Sequence, residues 1–373
     1  MNYIGSRYTL LPFLEQTFTA VKDGDEQTFS DIFAGTGAVG RHFKRLGLRI
    51  IANDLQYYAY VINKALIEID ETPSFLCLRE QYAERMAFHR SLFGDSIDEV
   101  LGFVNALPPV EGFIFENYGP KGSRQYYTAE NAGKADGVRL AIERWRSDGV
   151  ITEQEYFYIL TSLLEAIDKV ANTASVYGAF LKRYKESALK PLYLQRLDVT
   201  NQGSGSRVHN EDANELIKRI ESDVLYLDPP YNHRQYGANY HVLETIARYD
   251  SPQVQGISGM RDYTRSRYCK PREVLAAFEH LVRSARTRHI LVSYNDEGLM
   301  SIEEVLNVLA LRGEPRTFQT AYSRYKADNG RQYKRDATVK YVHYVRVVDD
   351  EAGSSIATRL AAGVPLDFPR GLT

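Results

Sequence analysis

Apolar positions in this chain repeat with two different spacings, and the switch between them divides it. A short apolar run over 28–33 leads into Ala34-Gly35-Thr36-Gly37. Residues 38–46 then follow a helical spacing, closed by Gly47 as a C-cap. A second apolar run, 48–52, ends in Asn53-Asp54, and 57–69 is helical again. Strand, glycine turn, helix, strand and acid make half of a doubly wound α/β sheet. From 72 to 191 that alternation stops. Residues 75–107 are helix-like, 108–135 are rich in Pro, Gly, Asn and Tyr, and helices follow near 136–147 and 152–172 before a mixed basic stretch at 173–190. This reads as a helical domain, 72–191, inserted into an α/β domain of 1–71 and 192–349. Strand character resumes at 192–197, closed by Asp198, and again at 224–227. Helices at 239–249, 272–286 and 302–311 surround a strand at 289–294, and 318–325 and 338–348 read as a closing hairpin. The tail, 350–373, is polar, rich in small residues and reads as loose.

Composition narrows the class. With 44% apolar and 25% charged residues in 373, the chain is globular rather than disordered or fibrous. No apolar run reaches the roughly 18 residues of a membrane span, and the first residues are polar too early for a secretion signal. Two cysteines, Cys77 and Cys269, make no disulfide framework and no zinc cluster, so a reducing cytoplasm is the expected setting and no metal is expected. The net charge, 46 − 48 = −2, argues mildly against a nucleic-acid partner. Local windows point the other way. Residues 259–272 hold five basic residues against one acid, 177–196 five against one, and 316–340 seven against two. Many of the 27 tyrosines sit among them. Aromatic rings beside Arg can stack on bases and hold phosphates, although most of these tyrosines suit core packing equally well.

Two motifs carry chemistry. Gly35-Thr36-Gly37-Ala38-Val39-Gly40 matches G-x-G-x-x-G between a strand and a helix, with Asp54 closing the next strand. Its glycines let the backbone approach a ligand, and the carboxylate can hold ribose hydroxyls. A nicotinamide dinucleotide and S-adenosylmethionine fit this turn about equally. The second motif, Asp228-Pro229-Pro230-Tyr231, ends an apolar strand, where open α/β sheets place reactive groups. Two prolines stiffen the turn and remove two donors. Asp228 and a proline carbonyl can then accept both hydrogens of one planar amino group, and Tyr231 offers a stacking face. That is a site for an amine on an aromatic ring.

With these pieces in order, the sequence resembles the DNA adenine-N6 methyltransferases of the Dam-like, alpha-ordered type. The matching segments are Asn2-Tyr3-Ile4-Gly5-Ser6-Arg7, Asp31-Ile32-Phe33-Ala34-Gly35-Thr36-Gly37, Asn53-Asp54 and Asp228-Pro229-Pro230-Tyr231. The run Asn232-His233-Arg234-Gln235-Tyr236 is similar to members found in restriction–modification systems. The resemblance implies a Rossmann-like class I methyltransferase sheet, doubly wound, with an inserted helical target-recognition domain. It further implies S-adenosylmethionine as cofactor, duplex DNA as partner, a cognate restriction endonuclease as a further candidate partner, and no membrane. Tyr3 and Arg7, the latter in place of the usual lysine, would hold the methionine end. Asp31, Phe33, Ala34, Gly35, Thr36 and Gly37 would wrap the cofactor, Asp54 would bind its ribose, and Asp198 with Val199 would meet its adenine ring. Asp228 through Tyr231 would hold the target amine, which must leave the duplex to be reached.

For sequence readout, the polar aromatic loop 118–127 offers Arg124, Gln125 and Tyr126 towards base edges. Lys182, Arg183, Arg265 and Arg267 suit phosphates, and Arg234 and Tyr236 lie beside the catalytic motif. The histidines show no ligand or triad spacing. One base modified per visit is compatible with a monomer. RNA adenine-N6 and DNA cytosine-N4 methylation stay open as alternatives.

Overall fold

The computed structural model describes residues 10–89, 95–323 and 337–348. Seven strands form one sheet: β1 (Thr28–Asp31), β2 (Arg49–Asn53), β3 (Arg207–His209), β4 (Val224–Leu227), β5 (His289–Tyr294), β6 (Pro315–Ser323) and β7 (Ala337–Arg346). Their spatial order is β3-β2-β1-β4-β5-β7-β6, with β1 to β5 parallel and β7 antiparallel to both its neighbours. Strand order reverses between β1 and β4, so loops leaving their carboxyl ends diverge and open a crevice.

Period-two packing builds the two faces of this sheet. In β4, Leu225 and Leu227 face a core shared with helices near 213–217, 274–282 and 305–309, while Val224 and Tyr226 face a core holding Phe18, Phe29 and Phe43. All four positions are buried, as expected of a central parallel strand covered on both sides. The helices supplying those cores begin with α1 (Leu11–Val21) and α2 (Ala38–Arg45), with α3 (Tyr57–Asn63) entering the helical body. Gly40 of α2 is where helix meets strand closely: a Cβ there would lie 2.7 Å from Ile67 and 3.3 Å from Ile50.

The helical body is α4 (Leu76–Gln81), α5 (Ala83–Ala87), α6 (Ser96–Asn105), α7 (Phe113–Tyr118), α8 (Ala129–Ser147) and α9 (Glu153–Lys169). Helix α8 starts seven residues before the expected 136, because Thr128 caps it, accepting from the Asn131 N–H at 3.2 Å. These helices share one hydrophobic cluster with α3 and with a helix at His241–Arg248, both outside 72–191. The helical stretch therefore grows out of the sheet's flank and has no separate core of its own.

Residues 192–197 are not the expected strand. Leu192, Leu194 and Leu197 are buried in the helical cluster. Their N–H groups go to side chains instead of a neighbouring strand: Leu192 to Asn131 Oδ1 (2.8 Å), Leu194 to Asn105 Oδ1 (2.9 Å) and Leu197 to the Tyr158 hydroxyl (3.0 Å). An alternating apolar pattern was satisfied by an extended strap, and the sheet's third strand is β3, further on. The remaining helices are α10 (Ala213–Leu216), α11 (Tyr236–Asn239), α12 (His241–Arg248), α13 (Val274–Ser284) and α14 (Ile302–Leu309). Among the described residues no helix is long and apolar enough to cross a membrane. The expected tail, 350–373, lies outside the described residues.

Candidate active site

A cleft of about 1030 Å³, counting space open to solvent, sits at the carboxyl ends of β1, β2, β3 and β4. Its first wall is the turn from β1 into α2. Gly35 (φ 53°) and Gly37 (φ 76°) both take left-handed backbone, which a side chain would strain. Gly37 is also crowded, since a Cβ on it would collide with Asn63 Oδ1.

Side chains from the next strand hold this turn. Asp54 Oδ2 accepts the Gly35 N–H (2.8 Å) and Oδ1 accepts the Gln56 N–H (2.8 Å). Asn63 donates to Gly35 O (2.9 Å), and Asn53 donates to Ile32 O (3.1 Å). Asn53 also ties down the segment after β3: it donates to Glu211 O and accepts from the Glu211 N–H, each at 3.1 Å. Glu211, Asp212 and Ala213 thereby form the second wall. Asp228, Pro229, Pro230 and Tyr231 form the third, with the Leu299 N–H donating to Tyr231 O at 3.0 Å. Gln235, Tyr236, Ser266, Tyr268 and Cys269 complete the rim. Gln235 pins its two halves together, accepting from the Ser266 N–H (2.8 Å) and donating to Ser266 O (3.3 Å).

The electrostatics are one-sided. Five acids line the cleft, Asp31, Asp54, Glu211, Asp212 and Asp228, and no Lys, Arg or His is among its described lining residues. Asp31 is 1% exposed, and its Oδ1 is buried without a hydrogen-bond partner. Burial, then the charges of Asp228 and Asp54, push its carboxyl up to about 8. Burial likewise lifts Asp54 to about 6, against the pull of its backbone N–H donors. Like charges gathered in low dielectric are costly without a counter-charge. The described lining is thus acidic, a field that suits positive charge. The Cys269 thiol, pushed up to about 11 by burial, is no nucleophile at neutral pH.

Several expected residues lie elsewhere. Asp198 is 73% exposed in its side chain and pairs with Arg41 and Arg45, and Val199 packs on the helical cluster, so neither lines the cleft. The expected position fell with the expected strand, and Glu211 to Ala213 occupy the corresponding place after β3. That substitution was hard to see because β3 is the three-residue Arg-Val-His, with no apolar run. Arg124 does not present its guanidinium to a ligand: it donates to Asn117 O (3.0 Å), Gly256 O (3.1 Å) and Ile257 O (3.2 Å). Tyr126 is fully buried, donating to Tyr177 O at 2.6 Å. Gln125 is half-buried, whereas Lys182, Arg183, Arg234, Arg265 and Arg267 are exposed and Tyr236 lines the rim. Arg267 lies 3.6 Å from Glu273. Tyr3 and Arg7 lie outside the described residues. Asn53, Asn63 and Gln235 were missed as holders of the site, since an amide side chain has no spacing signature.

Away from the cleft, His289 at the opposite end of β5 has Nε2 3.3 Å from Asp23 and 3.2 Å from Glu26, with Arg346 and Arg288 also on Asp23. Those arginines already neutralise the group.

Comparison with known proteins gives the family. The family described as D12 class N6 adenine-specific DNA methyltransferase matches residues 3–308. The Type II methyltransferase M.NlaIII of Neisseria lactamica is 44% identical over 349 residues, 92% of this chain and 98% of that protein. Type II methyltransferase M.FokI of Planomicrobium okeanokoites is 37% identical over 93% of this chain, which spans only 52% of it. Type II methyltransferase M.CviAII of Paramecium bursaria Chlorella virus 1 is 31% identical over 88% of this chain and 93% of its own length. With its glycine turn, Asp54 and the Asp228-Pro229-Pro230-Tyr231 turn around one cleft, the chain belongs to the D12 class N6 adenine-specific DNA methyltransferase family.

Proposed function

We propose that this cleft binds S-adenosylmethionine and that the chain transfers its methyl group to N6 of an adenine flipped out of duplex DNA, at a specific sequence, as the modification half of a restriction–modification system. One observation carries the cofactor assignment: five carboxylates line the cleft with no basic side chain among its described residues. A sulfonium and an ammonium suit that field, and a dinucleotide pyrophosphate does not. Asp31, with its partnerless buried oxygen, is the acid such a cation would relieve most.

When bound, the cofactor supplies an electrophilic methyl group. The Gly35 turn, locked by Asp54 and Asn63, gives it a preformed wall. The segment 211–213 takes the place first expected of Asp198, beside its adenine. Asp228 and the Pro229 carbonyl accept the two amine hydrogens of the target base. That draws the nitrogen lone pair out of conjugation with the ring and aims it, while Tyr231 stacks on the base. Catalysis on this reading is positioning and electrostatics, with no covalent enzyme intermediate.

Residues 72–191 are the target-recognition part, reaching DNA through exposed Lys182 and Arg183. Arg234, Arg265 and Arg267 flank the rim and take phosphates. The protein works as a monomer in the cytoplasm alongside a cognate endonuclease. Calorimetric titration with S-adenosylmethionine and with NAD tests the cofactor: micromolar binding of the first alone is expected, and preference for NAD overturns the reading.

A further inference from the structure

Among the described large apolar side chains, Ile257 and Phe88 are the most exposed, at 87% each. Phe88 follows a short helix, but Ile257 sits on a fixed support. It tips a tight turn in which Gln255 and Met260 exchange two backbone hydrogen bonds, each 2.8 Å. Gly256 (φ 67°) and Gly259 (φ 66°) take left-handed backbone on either side of it.

Side chains from elsewhere hold all four carbonyls between those bonds. Arg124 donates to Gly256 O and Ile257 O, and the Tyr126 hydroxyl lies 3.1 Å from Ser258 O. His241 Nε2 lies 2.9 Å from that same oxygen, and Tyr118 donates to Gly259 O at 2.9 Å. Tyr118, Tyr126 and His241 are fully buried. The His241 Nδ1 lies 3.0 Å from Ala238 O, so the ring is fixed between two carbonyls. Ile257 is thus held out into water on a turn whose carbonyls are pinned from behind.

The turn is tied to the cleft on both sides. His241 is five residues beyond Tyr236 of the rim, and Met260 is six residues before Ser266 of the rim. Six residues reach at most ~20 Å, so Met260, at the base of the turn, stands within about one DNA diameter of Ser266 on the rim. A duplex that has lost a base to the cleft has an open step in its stack, which an apolar wedge on a rigid support can fill.

We propose that Ile257 is that wedge: it enters the duplex at the position vacated by the flipped adenine, and Arg124 is the positioning residue that holds it there. The inference rests on the duplex-adenine reading given above. It also turns round the first expectation for Arg124, which serves recognition by bracing the contact.

The test compares Ile257→Ala, Arg124→Met and wild type on two duplexes carrying a target site mapped from wild-type methylation of genomic DNA. In one the target adenine faces thymine, and in the other an abasic position, where flipping is already cheap. Ile257→Ala should lose about 10- to 100-fold in kcat/KM on the paired duplex, since unstacking is the step it serves. It should recover to within a few-fold of wild type on the abasic duplex, with unchanged cofactor affinity and melting temperature. Arg124→Met should show a smaller loss with the same recovery. An active wild type alongside an Ile257→Ala that is indifferent, or equally impaired on both duplexes, overturns the wedge alone. A wild type inactive on any duplex adenine overturns the function and the wedge together.

Discussion

Both the cleft and the helical body bury ionisable groups, and what surrounds those groups separates a site from a scaffold. In the helical body the fold's own groups meet Lys134, Asp136 and Arg139. Lys134, lowered to about 8 by burial, donates to Val104 O, Asn105 O and Leu107 O at the end of α6. Asp136, raised by burial, accepts from the Ile114 and Phe115 N–H groups and from the Tyr249 hydroxyl. Buried Arg139 pairs with Glu143 at 2.5 Å. In the cleft, Asp31 is pushed up to about 8 and Asp54 to about 6, and the charges that add to the push come from other acids. Perturbation alone therefore does not mark function. Perturbation where acids gather around a cleft with no basic residue among its described lining is the better mark, because a ligand can supply the counter-charge.

The contrast can be broken by single substitutions. Asp228→Ala should cut methyl transfer by roughly 10³–10⁴-fold, the span of a lost proton acceptor and electrostatic contact, while thermal stability holds or rises because one like charge has gone. Radiolabel transfer and a melting curve read the two, and lost stability would place Asp228 with the scaffold acids. Asp136→Ala should behave the opposite way. It strands two buried N–H groups and a hydroxyl, at about 1–3 kcal/mol for each unpaired group, so the urea midpoint should drop sharply while turnover of the folded fraction stays near wild type.

Asp54→Ala removes the acceptor for Gly35 and Gln56 from the cofactor wall. A loss of about 10- to 100-fold in cofactor affinity follows from one such unpaired donor plus a lost charge, measurable by calorimetry, with little change in kcat at saturation. The smallest effect is on pH. Asp31 sits near 8 in the folded chain against about 4 unfolded. The folded state holds the extra proton between those values, so this contribution to stability is complete below pH 4 and disappears as pH rises through 8. Free protein should therefore lose stability from pH 6 to 8, while affinity for the cationic cofactor rises by about threefold to tenfold over the same interval. Both trends should flatten in Asp31→Asn, and a slope unaffected by that change would remove Asp31 from the account.

How far the sequence could be read follows from where each signal resides. Central strands are apolar on both faces, so 224–227 and 289–294 coincided with β4 and β5. The glycine turn, Asp54 and the proline turn were legible because each is a contiguous chemical device, and all three came together at the cleft. Asp198 failed because alternating leucines record burial without recording the partner: side-chain amides of Asn105 and Asn131 satisfied that backbone, and no strand did. Arg124 failed for a related reason. A basic residue in a polar loop looks ligand-facing, and only the fold shows that carbonyls of a turn 132 and 133 residues away had claimed it. Contacts so remote in sequence leave no local pattern.

The central claim is that an acid-lined cleft delivers a cationic methyl donor to adenine held by Asp228. Isotope-labelled S-adenosylmethionine incubated with unmethylated genomic DNA, followed by enzymatic digestion and nucleoside mass analysis, tests it most directly. The account predicts label in N6-methyldeoxyadenosine alone, at recurring sequence positions, and none with Asp228→Ala. Label in N4-methyldeoxycytidine, label only in RNA, or undiminished label with Asp228→Ala would contradict it.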